Sequence, residues 1–188
     1  RPERARPSGL AEHEAAGGRG LGRAAAMFKG SAVHRLLEVL PDRQGSQRPE
    51  LARRLLAAEF AGLDPALAAA ALAEVEAVLA APWAAELFGP DSLAEATVAL
   101  APPEPGAAPM LGRIDRLVLR PAEVLVVDYK TDAAPPVRAE EAPAAYLAQL
   151  GAYRAGLAAL YPGRRVTAAI LWTASPSLMP LPEPAGGA

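Results

Sequence analysis

The chain contains no cysteine, which excludes disulfides, thiolate zinc sites and cysteine-held iron–sulfur clusters. Lysine is nearly absent as well: Lys29 and Lys130 are the only two, and almost every other cation is arginine. Histidine is limited to His13 and His34, so the choice of imidazole for any site is narrow. No stretch is apolar and long enough to span a bilayer, and no charged-then-apolar leader opens the chain; the compartment is read as cytoplasmic, with no membrane partner. A net charge of −2 excludes the uniformly basic body of a simple nucleic-acid coat protein. There is no Gly-x-x-x-x-Gly-Lys-Ser/Thr loop, no Gly-x-Ser-x-Gly elbow and no His-Glu-x-x-His helix, which excludes P-loop nucleotide binding and two common hydrolase designs. The chain starts at Arg1 rather than methionine, which reads as a piece of a longer protein.

What is present suits one domain with a real core, since 188 residues are enough to bury one. Residues 1–22, rich in Arg, Gly, Glu and Ala, read as an arm or linker from an upstream domain. Residues 23–180 read as the folded domain and 181–188 as an irregular tail, with irregularity beginning near Ser175. A helix is expected from Ala24 to Leu40, with Val33, Leu36, Leu37 and Leu40 on one stripe. Two more lie between Pro49 and Leu79, the second capped by Asp64 with Pro65 at its first position. A short turn at Trp83–Phe88, a strand at Ser92–Leu100, a proline-rich loop at 101–109, a helix at Ala144–Leu160 and a strand at Val166–Thr173 complete the outline. The order predicts a layered α/β domain with a mixed central sheet flanked by helices.

The richest segment runs from Gly112-Arg113-Ile114-Asp115 through Arg120-Pro121-Ala122-Glu123 to Val124-Leu125-Val126-Val127-Asp128-Tyr129-Lys130-Thr131. Pro121 presets the backbone for a type I turn. Closing the hairpin there pairs Leu119 with Val124, and the same register sets Asp115 opposite Asp128 on one face. Directly opposed Cβ atoms lie about 4.5–5.5 Å apart, where like charges repel, and a divalent cation reverses that sign. Asp128 and Lys130 share a face, their Cα atoms about 6.6 Å apart. A compact amine at 130 in a chain that otherwise uses arginine suggests a role guanidinium cannot fill.

Other candidates surround this hairpin. His34 lies beside the apolar stripe of the first helix, with Glu38 one turn later where it could orient the ring. Gln149 and Tyr153, four apart, share a face of the helix after the motif and could present an amide and a phenol to phosphate or base, or pack into the core. Arg113, Arg116 and Arg138 flank the acids closely enough for phosphate contacts, although for any one of them a solvated surface is the more ordinary role. Glu95, a lone acid in the first strand, is the weakest candidate.

Together, Gly-Arg-Ile-Asp115, Asp128-Tyr129-Lys130-Thr131, the Gly30-to-Glu38 stretch with His34, and Gln149-x-x-x-Tyr153 resemble the RecB-type branch of the PD-(D/E)XK nucleases. With the Pro7-Ser8-Gly9-Leu10 lead-in, they look most like the C-terminal nuclease domains of the AddA helicase–nuclease family, in its alphaproteobacterial form. The resemblance spans roughly residues 7–180. It implies a restriction-endonuclease-like fold and a metal site of His34, Asp115, Asp128 and the main-chain carbonyl of Tyr129. It implies Lys130 as the catalytic lysine and Gln149 and Tyr153 near DNA. Mg²⁺ would be the cofactor, with Mn²⁺ able to substitute because imidazole suits it better. DNA, a fused upstream helicase domain and an AddB-like subunit would be the partners, in double-strand break repair. Ile114 stands where the wider superfamily has proline, without altering the ligand. The cysteines of the partner subunit's iron–sulfur cluster are missing, which favours the AddA side.

Overall fold

The computed structural model describes residues 18–100 and 110–183. Five strands form one sheet in chain order: β1 (Ser92–Leu100), β2 (Met110–Leu119), β3 (Glu123–Lys130), β4 (Arg165–Trp172) and β5 (Ser177–Pro180). The first three form an antiparallel meander, β4 runs parallel to β3, and β5 returns antiparallel to β4. A parallel step needs a long crossover, and the helix α5 (Ala144–Leu160) lies within it. The mixed sheet with helices on both faces is the restriction-endonuclease-like architecture expected from the sequence.

Packing divides the molecule into three layers. The long helix α1 (Gly18–Val39) buries Ala32, Val33, Leu36 and Leu37, the three-and-four spacing of a helix with one apolar stripe. With α2 (Arg48–Glu59), α3 (Pro65–Leu79) and the one-turn α4 (Ala84–Leu87), it covers Val118, Val127, Tyr129, Ala169 and Leu171 on one face of the sheet. Asp64 caps α3 as predicted, its Oδ1 accepting from Ala66 N at 2.8 Å and Leu67 N at 3.4 Å. The other face, with Ile114, Val126, Ile170 and Trp172, is covered by Leu150, Tyr153 and Leu157 of α5.

The hairpin closes where the sequence places it. Arg120 and Glu123 exchange main-chain hydrogen bonds of 2.8 and 3.4 Å, and the register runs from Leu119↔Val124 to Arg116↔Val127. Strand β3, between an antiparallel and a parallel neighbour, buries Val124, Val126 and Val127 completely, as its unbroken apolar run predicts.

Three expectations need correcting or setting aside. Helix α1 starts at Gly18 rather than near Ala24, so the end of the expected arm is helical. The tail read as irregular contains β5, which completes the sheet by half-burying Leu178 and Met179 against β4. His13, the loop at 101–109 and residues 184–188 lie outside the described residues. No helix among the described residues is long and apolar enough to cross a membrane.

Candidate active site

The site forms where β2 and β3 part. Their pairing ends at Arg116↔Val127; at the next step, Asp115 and Asp128, β2 stays with β1 while β3 stays with β4. The regular alternation of β2 also breaks here. Ile114 and Leu117, an odd number of residues apart, both pack on the α5 side, whereas Arg116 reaches the Leu37 carbonyl of α1. Opposite the break, Glu95 has φ 54°, the only non-glycine residue with positive φ among those described. Such backbone costs about 1–3 kcal/mol and collects at functional sites.

The break turns Asp115 into the gap. Its Oδ2 accepts from Tyr129 N at 2.6 Å, and its Oδ1 stands 3.2 Å from His34 Nδ1 on α1. The two acids therefore do not face one another on a common side, as the uninterrupted register predicts. Asp115 approaches from the α1 side, and Asp128, two residues along from Val126, from the α5 side.

Lys130 is held by groups from both β3 and α5. Its Nζ lies 2.6 Å from Asp128 Oδ2, donates to Gln149 Oε1 at 3.4 Å, and sits 4.2 Å above the centre of the Tyr146 ring. The Gln149 amide is oriented in turn: Nε2 donates to the Tyr153 hydroxyl at 3.1 Å, which donates to the Arg113 carbonyl at 2.8 Å. Gly112 makes room for this chain, since a Cβ there would fall 2.5 Å from the Tyr153 ring. Tyr153 is buried, so it aligns Gln149 rather than presenting its phenol to a phosphate.

Tyr146 is the residue that sequence reasoning missed. Its place one turn before Gln149 puts both on the same helix face. Its hydroxyl donates to Asp132 at 3.2 Å, and burial with the Asp132 charge pushes its pKa up to about 12.

Electrostatics mark Asp128 as the costly group. Burial first, and the Asp115 carboxylate second, raise its pKa to about 6 against the pull of Lys130 and His34. For His34, burial works to lower the pKa, but the hydrogen bond to Asp115 and the charges of Asp115 and Asp128 outweigh it and leave it raised. Glu95 is likewise raised by burial and Asp115, although Arg113 pairs with it.

The arginines separate into two kinds. Arg113 and Arg138 are exposed and paired with Glu95 and Glu141. Arg116 is 1% exposed. Its guanidinium donates to Tyr129 OH at 3.0 Å, Leu37 O at 2.8 Å and Ser92 Oγ at 3.3 Å, and it stacks on Phe88. It is a core cation tying β2 to α1, not the phosphate contact expected. Glu38 pairs with Arg35 at 2.9 Å instead of orienting His34, whose ring meets the Tyr129 ring edge-on at 5.5 Å.

A family model of the PD-(D/E)XK nuclease superfamily matches residues 12–179. The chain belongs to the PD-(D/E)XK nuclease superfamily. The family makes this a nuclease-type domain, and nucleases of the superfamily typically use divalent metals. No curated protein matches the chain.

The donors of this superfamily member suit a hard divalent cation. They are two carboxylates and an imidazole, and Asp128 Oδ2 is buried with no hydrogen bond of good geometry, its close neighbour being the Lys130 ammonium. They are not a preformed cage. Among the described residues no three His, Cys, Asp or Glu side chains gather closely enough to hold a metal, and His34, Asp115 and Asp128 do not meet at one point. To hold such an ion, Asp128 would have to give up its contact with Lys130.

Proposed function

We propose that this chain is the DNA nuclease of a RecB-type helicase–nuclease of the AddA family, hydrolysing phosphodiester bonds exonucleolytically on single strands during double-strand break repair. Mg²⁺ is the proposed cofactor, with Mn²⁺ as substitute, held by His34, Asp115, Asp128 and the Tyr129 carbonyl. DNA, a fused upstream helicase domain and an AddB-like subunit are the proposed partners, in the cytoplasm. One observation carries the reading: a buried carboxylate, Asp128, whose pKa is raised to about 6, is kept beside the Asp115 carboxylate and 2.6 Å from Lys130 Nζ.

The side chains divide the work. A divalent ion, when bound, polarises a phosphoryl oxygen and lowers the pKa of water. His34 must be neutral to ligate. Lys130, released from Asp128, offers its ammonium to the charge that builds on the phosphate, and Gln149 and Tyr146 keep it in the gap. Arg113 exchanges Glu95 for a backbone phosphate of the DNA.

A second reading is a module that binds DNA or a partner subunit without cutting. Asp128 argues against it, because a buried acid beside a like charge costs stability and gives a binding surface nothing. End-labelled single-stranded DNA incubated with Mg²⁺ separates the two. Wild-type protein should degrade it, and Asp128→Ala and Lys130→Ala should each lose at least about a thousandfold in rate while still binding DNA. Retained cleavage in both variants contradicts the proposal.

A further inference from the structure

The other lysine of the chain, half-buried, pairs with a buried acid in a second charge cluster. Glu74 on α3 is one of four buried polar or charged residues among those described. Its Oε2 accepts from Lys29 Nζ of α1, and its Oε1 from Thr173 Oγ1, the residue after β4. Thr173 is fully buried, and its amide donates to the main-chain carbonyl of Lys130 at 2.9 Å. Next to Lys29, Gly30 abuts Thr131: a Cβ at Gly30 would fall 3.0 Å from Thr131 Oγ1. One helical turn beyond Gly30 stands His34.

The cluster thus joins three elements at the point where β3 ends. We infer that Lys29, Glu74 and Thr173 are positioning residues that set the main chain of Lys130 against α1, and with it the spacing between Lys130 and His34. A pair that buries one of its charges, as this one buries Glu74, is a poor stabiliser, because desolvation offsets much of what the attraction returns. Its better-attested use is to select one register over others. The Glu74 carboxylate can be met only when α1, α3 and the end of β4 are all in place. A hydrophobic pair could hold the helices together but could not pin the Thr173 hydroxyl. This inference rests on the nuclease reading for its activity arm and stands apart from it in the other.

The double variant Lys29→Met/Glu74→Met replaces the ion pair with apolar side chains of similar length and leaves Lys130 as the chain's single lysine. Lysine side chains labelled with ¹³C at Cε then give one signal. The variant should melt within a few degrees of wild type. Its kcat on single-stranded DNA should fall at least tenfold with KM unchanged, and the Lys130 signal should broaden or split. Thr173→Val, which removes only the hydroxyl, should repeat the kcat loss, and Thr173→Ser should restore it. Thr173→Val also decides the matter if the double variant fails to fold. Wild-type kcat with an unaltered Lys130 signal overturns the inference and leaves the cluster as a structural pair. If wild-type protein cuts no DNA, the nuclease reading fails instead, and the Lys130 signal alone decides the positioning role.

Discussion

Strand β3 carries an acid near each end, and the two are treated in opposite ways. At its start, Glu123 is met by Arg120 at 2.9 Å, Arg165 at 3.1 Å and Thr167 Oγ1 at 3.0 Å. Burial works to raise its pKa, but these partners outweigh it and hold the carboxyl below its usual value. Near the other end, Asp128 has one close cation and an unrelieved neighbour in Asp115, and its pKa rises to about 6. Deeper burial first, and a like-charged neighbour second, separate Asp128 from Glu123, whose partners outweigh its lesser burial. An acid whose charge the fold satisfies holds structure, and an acid left short of charge by the fold is ready for a cation supplied from outside. A cavity of about 350 Å³ is lined in part by Arg120, Glu123 and Arg165 at the satisfied end, whereas Asp128 is buried.

Substitutions at the two ends test this contrast most strongly. Asp128→Ala and Lys130→Ala should remove at least about a thousandfold of the cleavage rate, whereas Glu123→Gln should leave the rate within about twofold. Comparable losses from Glu123→Gln and Asp128→Ala in steady-state assays would erase the distinction.

Arg116 marks how abruptly the site stops, one residue from Asp115. Arg116→Ala should cost about 3 kcal/mol or more, because it opens a cavity and strands the Tyr129 hydroxyl and Leu37 carbonyl. DNA affinity of the folded variant should be unchanged. Urea denaturation with a filter-binding assay checks both parts, and a loss of affinity without a loss of stability would return Arg116 to the phosphate contacts.

Acidity separates the two ends with a smaller effect. The folded pKa of Asp128 lies above its ordinary 3.8, so the metal-free fold gains stability as pH falls through about 6 and loses it as pH rises. His34, raised above 6.5, contributes stability below 6.5 that is lost as pH rises through its folded value. Glu123, lowered below 4.5, contributes above 4.5 and loses its share only in stronger acid. Metal-free protein should therefore melt a few degrees higher at pH 5.5 than at pH 7.5. Saturating Mn²⁺ should reverse the order, since ligation needs both groups deprotonated. A metal-free melting temperature that rises from pH 5.5 to 7.5 contradicts the assignment of Asp128. The smallest effect belongs to Glu123→Gln, which should cost about 1 kcal/mol or less in stability.

Much of this was legible in the sequence, for physical reasons that also explain the gaps. Pro121 fixed the hairpin turn, and the turn fixed the register as far as Arg116↔Val127. The helix stripe of α1 and the cap at Asp64 rest on local patterns that packing did not override. The kink was harder to foresee, but Ile114-Asp115-Arg116-Leu117 held a clue: two adjacent charges between apolar residues cannot alternate in a strand buried on both faces. Glu74 carried a similar clue, since it falls on the stripe of Ala71, Val75 and Val78. Its partners Lys29 and Thr173, far away in the chain, carried none. Strand β5 is four residues long with Pro180 at its end, too short for an alternating pattern to be seen.

On the proposed reading, a divalent metal enters at the Asp128 end of β3. Anomalous diffraction at the manganese edge from crystals soaked in Mn²⁺ tests it most directly. A peak is expected in the gap between Asp115 and Asp128, within ligand distance of His34, with Lys130 Nζ withdrawn from Asp128. A peak at Glu123, or none near Asp128 with the lysine pair intact, would contradict it.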